Sequence, residues 1–437
     1  MSNTYQKNVR RGHREPLDGQ VAVPEQVAVS MAEIAGSVKE GLLALAVGAG
    51  LQVMAAMFAE DAERLCGPGG KHNPGRAGYR HGTEAGSVTL GGRRIGATRP
   101  RVRAADGSGE LHLPSYDLFS GTEVLGEMAL ERMLAGLSSR RYARGLEPAG
   151  TAVEEAASAT SKSAVSRRFV AATETALAEL MSKRLDDVDL VAFMVDGVHF
   201  GEHTCVVALG IGIDGTKHPL GVEEGSTENA AVVTDLITGL RERGLDTTRP
   251  ILAVLDGAKA LSKAVKDVFG QPVIHRCQEH KIRNVKDKLP EKLRSVTEKR
   301  MRQAYHAQSA LQAEAELTEL ARELGKTHPG AAASLREGMA ETLTVLRLGV
   351  PPTLARTLRS TNSIESMIGI CREHSKNVKR WRDGTMALRW CAAGMTEAGH
   401  QFRRVNGHLH LPKLRAALDA HFQNVSAATQ NEDQKAA

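Results

Sequence analysis

Hydrophobic and polar residues recur with different periods along the chain, and each period predicts an element. Helical spacing runs from about residue 24 to 66 and stops at CGPGGKHNPGRAG, where Gly and Pro mark a boundary. Within that helix, residues 41–59 (GLLALAVGAGLQVMAAMFA) carry no charge over 19 positions, a length that could span a bilayer. Its Ala and Gly content, Gln52 and the flanking Glu40, Glu60 and Asp61 favour a helix buried in an N-terminal domain or at a subunit contact. SVTLGGRRIGATRPRVR (87–103) alternates around Gly91-Gly92 as a hairpin does. Two helical blocks follow, 121–146 and 161–185, separated by a break at EPAG.

From 186 the texture changes. VDLVAFMVDGVHF (188–200) is almost continuously apolar, so it reads as a central strand. HTCVVALGIGIDG (203–215) and TKHPLGVEEG (216–225) complete an antiparallel meander. A helix over 227–243 is stopped by Gly244, and then come strand 250–257, a helix and strand 271–277. This βββαβαβ order is that of an RNase H-like domain with a mixed five-stranded sheet. Residues 281–345 are helical and highly charged, with no strand signal. The expected organisation is a disordered basic tail (1–22), then a helical and hairpin region for DNA binding or dimerisation (23–120). A helix-turn-helix-like DNA-binding domain (121–185) precedes an α/β catalytic domain (186–280 and 356–405). The charged helices (281–355) lie between its two stretches, and a C-terminal helix with a disordered tail (406–437) ends the chain.

Composition narrows the classes. A chain of 437 residues with 41% hydrophobic and 25% charged residues has the makeup of a soluble globular protein of two to four domains. Aromatics at 3% argue against recognition of single strands by base stacking. Cysteines 66, 205, 277, 371 and 391 include no CxxC pair, which points to a reducing cytoplasm rather than a disulfide framework. The polar, basic opening MSNTYQKNVRRGHREPLDGQ does not read as a signal peptide.

The net charge of +6 is modest, but its placement is uneven. Arg93, Arg94, Arg99, Arg101 and Arg103 fall within eleven residues without an acid. They read either as a solvated edge strand or, since no acid in the run pairs with them, as a phosphate-contacting strand. Arg167 and Arg168 open the second helical block, as in a recognition helix, although amphipathic helices with surface arginines are common. Residues 281–302 hold nine Lys or Arg, Arg283 among them, against three acids. Arg372, Lys376, Lys379, Arg380 and Arg382 form a similar run. Both runs fit a solvated helix face or contacts to a DNA backbone.

Two strands end alike, in Met194-Val195-Asp196-Gly197 and Val254-Leu255-Asp256-Gly257. In this strand order they are neighbours, so Asp196 and Asp256 face each other at the sheet's lip. Such a pair repels unless a divalent cation neutralises it. Mg²⁺ with carboxylates and substrate phosphates is the usual resolution, and two ions can drive an in-line phosphoryl transfer. A third acid has one good candidate, Glu365 in LRSTNSIESMIGICREHSK (358–376). Asn362 to Glu365 also fits a capping box, and spacing alone does not separate the readings. Cys277-x-x-His280 is half of a zinc motif; a buried Cys beside a locally bonded His is the plainer reading.

Together, Asp196-Gly197, Leu220-Gly221, Glu228, Arg243-Gly244-Leu245, Asp256-Gly257, Arg276-Cys277-Gln278-Glu279-His280, Arg283-Asn284 and Thr361-Asn362-Ser363-Ile364-Glu365-Ser366 resemble the IS256 family of bacterial transposases, relatives of Mutator-like elements. The similarity covers roughly residues 30–405. It implies a DDE-type enzyme with Asp196, Asp256 and Glu365 as its metal-binding triad, two Mg²⁺ ions replaceable by Mn²⁺, and an all-helical insertion filling the gap before Glu365. It further implies double-stranded DNA as partner, both terminal inverted repeats and target, a homodimer or higher homo-oligomer on DNA, and no membrane. Val233 departs from the Trp usual in relatives. Two alternatives stay open: a non-catalytic DNA-binding regulator derived from a transposase, and a metal-dependent nuclease without strand transfer.

Overall fold

The computed structural model describes residues 25–71, 73–227 and 229–436, and the side chains of 35–423 apart from His72 and Glu228. The tail expected over 1–22, and Glu228, lie outside the described residues. The chain divides into two units, one up to Gly121 with Leu146–Ser158, the other Thr122–Gly145 with the residues from Ala159 onward.

In the first unit, α1 (Glu25–Cys66) precedes an antiparallel sheet of β1 (Gly78–Leu90), β2 (Arg93–Ala104) and β3 (Glu110–Leu111), and then α2 (Pro114–Ser120). The β1–β2 loop is the pair Gly91-Gly92, with φ of 57° and 77°. Both residues sit in the left-handed region that such a two-residue turn demands and that a side chain would disfavour. The last turns of α1 present Met54, Phe58, Ala62 and Cys66, which pack on Val88, Val102 and Leu113.

Of the two places expected for residues 41–59, the domain core is corrected for the earlier turns, while a subunit contact is not tested by a single chain. Val38, Leu42, Leu45 and Val53 are 57–68% exposed. Helical periodicity identified the helix, but composition cannot show what covers a face. Ala35–Cys66 is long and apolar enough to cross a membrane, by length and composition only.

The second unit opens with α3 (Glu123–Leu134). The chain then returns to the first unit for α4 (Thr151–Ala156) before α5 (Lys162–Ser182). A helix-turn-helix joins its helices by three or four residues. Here residues 135–161, with a helix of their own in another unit, separate α3 from α5, so the helix-turn-helix expected over 121–185 is not formed by this pair. One face of α5 is occupied in packing: Val165, Phe169, Thr173, Ala176 and Leu180 are buried, and Phe169 lies 4.6 Å from Trp390.

The sheet that follows is mixed, in the order β6-β5-β4-β7-β8. Its strands are β4 (Leu190–Phe200), β5 (His203–Gly212), β6 (Lys217–Glu224), β7 (Ile251–Leu255) and β8 (Pro272–Arg276). The meander β4–β5–β6 is antiparallel, while β7 runs parallel to β4 and β8. The predicted central strand, β4, is central because both its faces are buried. Phe193, Val195, Ala253 and Leu255 face a layer made by α6 (Ala230–Glu242) and α7 (Lys259–Val268). Met194 and Val254 face the opposite layer.

Between β8 and that second layer stand α8 (Gln278–Lys286), α9 (Glu291–Tyr305), α10 (Ala310–Gly325), α11 (Pro329–Arg336), α12 (Met339–Thr342), α13 (Thr344–Arg347) and α14 (Pro352–Leu358). They enclose a separate core around Val285, Met301, Leu317 and Leu335. Lys281, fully buried, donates its Nζ protons to the carbonyls of Ser334, at 2.7 Å, and Glu337. Burial, with Arg276 nearby, lowers its pKa to about 8.

The second layer consists of α15 (Asn362–Ser375), α16 (Gly384–Gln401) and α17 (Leu411–Ala436). The tail expected to be disordered after about 424 instead continues α17; its Ala, Gln, Glu and Lys are strong helix formers. Arg415 ties this helix to the sheet, donating to the carbonyls of Leu190 (2.5 Å) and Pro250 (2.7 Å). Helices α15 and α16 meet at Gly394, where a Cβ would lie 2.9 Å from the Cα of Cys371.

Candidate metal centre

Alternation along the strands decides where the acids point. Met194 pairs with Val254 across β4 and β7, and both face α15. Two residues on, Asp196 and Asp256 keep the same face, at adjacent positions beyond the last printed pair. On α15, Ile364, Met367 and Ile368 pack into the core under Met194. Glu365 lies between these residues on α15, and its carboxylate is near enough to act on Asp196. All three acids are half-buried.

The carboxylates are held individually. Asp196 Oδ1 accepts from the Gly197 amide at 2.7 Å and Asp256 Oδ1 from the Ala258 amide at 2.8 Å. Burial pushes the Asp196 pKa up, and the nearby Asp256 and Glu365 carboxylates push the same way, opposed by the Gly197 amide and His280. A raised carboxyl pKa means that ionised Asp196 costs stability. The cost is absent below its ordinary value of 3.8 and reaches its full size once pH has risen past the raised folded-state value. Asp196→Asn is therefore expected to raise the Tm of chelator-treated protein at pH 7. The difference should vanish in acid below pH 4. Thermal melts of the two proteins at both pH values check this, and a lower Tm for the variant at pH 7 would refute it.

The capping-box reading of Glu365 does not hold. The N-cap of α15 is Thr361, and its hydroxyl makes no cap bond. It donates instead to Glu365 Oε1 at 2.6 Å. The same hydroxyl lies 3.4 Å from Cys277 Sγ and 3.3 Å from His280 Nδ1. One ligand atom each from Cys277, His280 and Glu365 lie within 4.8 Å of one another. Burial pushes the Cys277 thiol up, but hydrogen bonds from His280 and Thr361 outweigh it, leaving the pKa below the ordinary thiol value. Thr361 went unremarked in the sequence as a site residue; its place four residues before Glu365, one helical turn away, was the available signal.

The basic residues divide sharply. Arg93 is 3% exposed and pairs with Glu154 at 3.3 Å. Arg94 donates to Ser87 O at 2.9 Å, to Thr89 Oγ1 at 3.3 Å and to the Ser120 carbonyl. Arg99 pairs with Glu84 at 2.8 Å, and Arg101 with Glu110 at 2.8 Å. The expectation that no acid pairs with this run is thus corrected. The partners come from neighbouring strands, where Glu84 lies directly across from Arg99 and Glu110 across from Arg103. Reading one strand cannot see them.

The 281–302 run is similarly reduced. Lys281 is buried, Lys286 pairs with Glu298, Arg302 with Glu279 and Glu298, and Arg300 with Glu323. Arg168 donates to the Ala159 carbonyl at 2.6 Å, and Lys376 pairs with Glu373. Among the described residues, Arg103, Arg167, Arg283 and Arg372 are exposed.

A family model described as "Transposase, Mutator family" matches residues 28–405. The transposase for insertion sequence element ISRM5 of Rhizobium meliloti (strain 1021) is 26% identical over 362 residues, 82% of this chain and 88% of the relative. That for IS6120 of Mycolicibacterium smegmatis is 28% identical over 246 residues, 55% of this chain and 75% of the relative. That for IS256 in transposon Tn4001 of Staphylococcus aureus is 28% identical over 171 residues, 37% of this chain and 42% of the relative.

Proposed function

Since the chain belongs to the Mutator family of transposases, which takes in the IS256 elements, we propose that it binds the terminal inverted repeats of its element, cleaves the DNA there and joins the freed 3′-OH to target DNA. What supports this reading is that Asp196 and Asp256 keep one face at adjacent strand ends of a β6-β5-β4-β7-β8 sheet, with the Glu365 carboxylate near enough to push the Asp196 pKa up. That strand order, with an all-helical insertion before the third acid, supports an RNase H-like catalytic core.

The donor set fits a hard divalent cation. It is all carboxylate oxygen, the donor type that such ions prefer. Asp196, Asp256 and Glu365 would hold two Mg²⁺ ions, with Mn²⁺ as a substitute. Bound there, the ions supply charge neutralisation at the phosphate and a lowered pKa for the attacking water or 3′-OH. The chain's own part is positional. The Gly197 and Ala258 amides each fix one oxygen of Asp196 and Asp256, and the Thr361 hydroxyl fixes one oxygen of Glu365. The test is incubation of the full chain with labelled terminal-repeat DNA and Mg²⁺. Nicked ends bearing 3′-OH, followed by joined products, are expected; binding without any cleavage would favour the regulator reading, and cleavage without joining the nuclease.

For duplex binding, the reading assigns phosphate contacts to Arg103, Arg167, Arg283 and Arg372. Each single change to Ala is expected to weaken terminal-repeat binding and to lower the salt slope of log K by about 1. Arg99→Ala is expected to leave that slope unchanged, because Arg99 is engaged with Glu84. Fluorescence anisotropy across a salt series measures both, and equal slope changes for Arg99 and Arg103 would remove the distinction.

A further inference from the structure

The pair Cys277 and His280 is not needed by a three-carboxylate centre, yet it is built against it. Cys277 is the N-cap residue of α8 and His280 lies in the first turn of that helix, so the fixed helix start presents both to the same side. Opposite them, the first turn of α15 presents Thr361 and Glu365. The Thr361 hydroxyl reaches all three side chains, so their lone pairs converge on one small volume. His280 Nδ1 stands 3.9 Å from Glu365 Oε1. Cys277 is wholly buried, while the side chains of His280 and Glu365 are 21% and 38% exposed, which leaves a way in from solvent.

We infer that Cys277, His280 and Glu365 form a second metal site, for a soft or borderline divalent ion of the Zn²⁺ class, which draws Glu365 away from the three-carboxylate centre. Sulfur, imidazole nitrogen and one carboxylate oxygen are the donors Zn²⁺ selects, whereas Mg²⁺ takes oxygen almost alone. Three protein ligands leave a fourth position for water. The balance is simple: the Cys277 thiol releases one proton to solvent for each ion bound, and no electron moves. Glu365 Oε1, once bound beside His280 and Cys277, is no longer offered to the three-carboxylate centre, so the two centres compete for it. Zn²⁺ therefore acts as an inhibitor of Mg²⁺-dependent cleavage; this consequence, unlike the binding itself, rests on the function proposed above.

Co²⁺ is the probe for binding, added to the chelator-treated full chain without DNA. A thiolate-to-cobalt charge-transfer band saturating at one equivalent is expected. It should disappear in Cys277→Ser, although the other four cysteines remain, and His280→Ala should weaken Co²⁺ binding at least about 10-fold. Circular dichroism checks that both variants fold. The absence of a band in wild type, its persistence in Cys277→Ser, or unchanged affinity in a folded His280→Ala each overturns the site. With Mg²⁺ and DNA, the Zn²⁺ concentration giving half-inhibition should rise at least about 10-fold in Cys277→Ser, relative to that variant's own Mg²⁺ activity. An unshifted value overturns the competition. If wild type does not cleave at all, the transposition reading fails, and the cobalt band still decides the metal site.

Discussion

Asp196→Asn, Asp256→Asn and Glu365→Gln are each expected to lower Mg²⁺-dependent nicking of terminal-repeat DNA by at least about 10³-fold, equivalent to about 4 kcal/mol of barrier. Each substitution is nearly isosteric, so the side chain stays in place while one negative charge goes. The charge is what these residues contribute. Asp196 sits against two other carboxylates, and that arrangement is unfavourable without cations. Binding of the same DNA should remain within about 3-fold, because the proposed phosphate contacts are the exposed arginines and not the acids. Gel analysis of nicked product beside an anisotropy titration separates the two. If any one variant nicked at the wild-type rate, its residue would leave the triad.

Gly394→Val carries the second large effect, through packing. The α15–α16 contact admits no Cβ, since one would lie 2.9 Å from the Cys371 Cα and 3.0 Å from its Sγ. The clash is with backbone, which a rotamer change cannot relieve. Either the helices separate or the core distorts, and overpacking of this kind costs about 3 kcal/mol. Helix α15 also carries Glu365, so a shift of ~1 Å along this contact should lower cleavage by about 10²-fold. Thermal melts and nicking rates measured on the same preparation check both. Wild-type stability with wild-type activity would show that the helices have more room than the geometry allows.

Much of the α/β unit was legible because buried strands announce themselves. The uninterrupted apolar run of β4 gave its central place, and the repeated Asp-Gly endings located two acids on it and on its parallel neighbour. Period-2 alternation then carried Asp196 and Asp256 to a common face. Glu365 was not separable from a cap residue by spacing, because its partner is a side chain, Thr361, and the choice between the two depends on a rotamer. The arginines of β2 were misread for a related reason. A hairpin brings Glu84 opposite Arg99 across fifteen residues of sequence, and pairing of that kind lies outside any local window. The exposed turns of α1 mark the same limit: periodicity specifies a helix, whereas what covers it depends on the rest of the molecule.

The wide separation of the acids along the chain has a consequence for synthesis. Asp196 leaves the ribosome 169 residues ahead of Glu365, roughly 8–34 s at ordinary elongation rates. During that interval the sheet and the insertion can fold, but the third carboxylate does not yet exist. Arg415, which fastens the last helix to the carbonyls of Leu190 and Pro250, arrives later still. A nascent or prematurely released chain thus holds two acids and no complete centre. On the function proposed above, the order of residues along the polypeptide delays DNA cutting until Glu365 and the helix after it have been made.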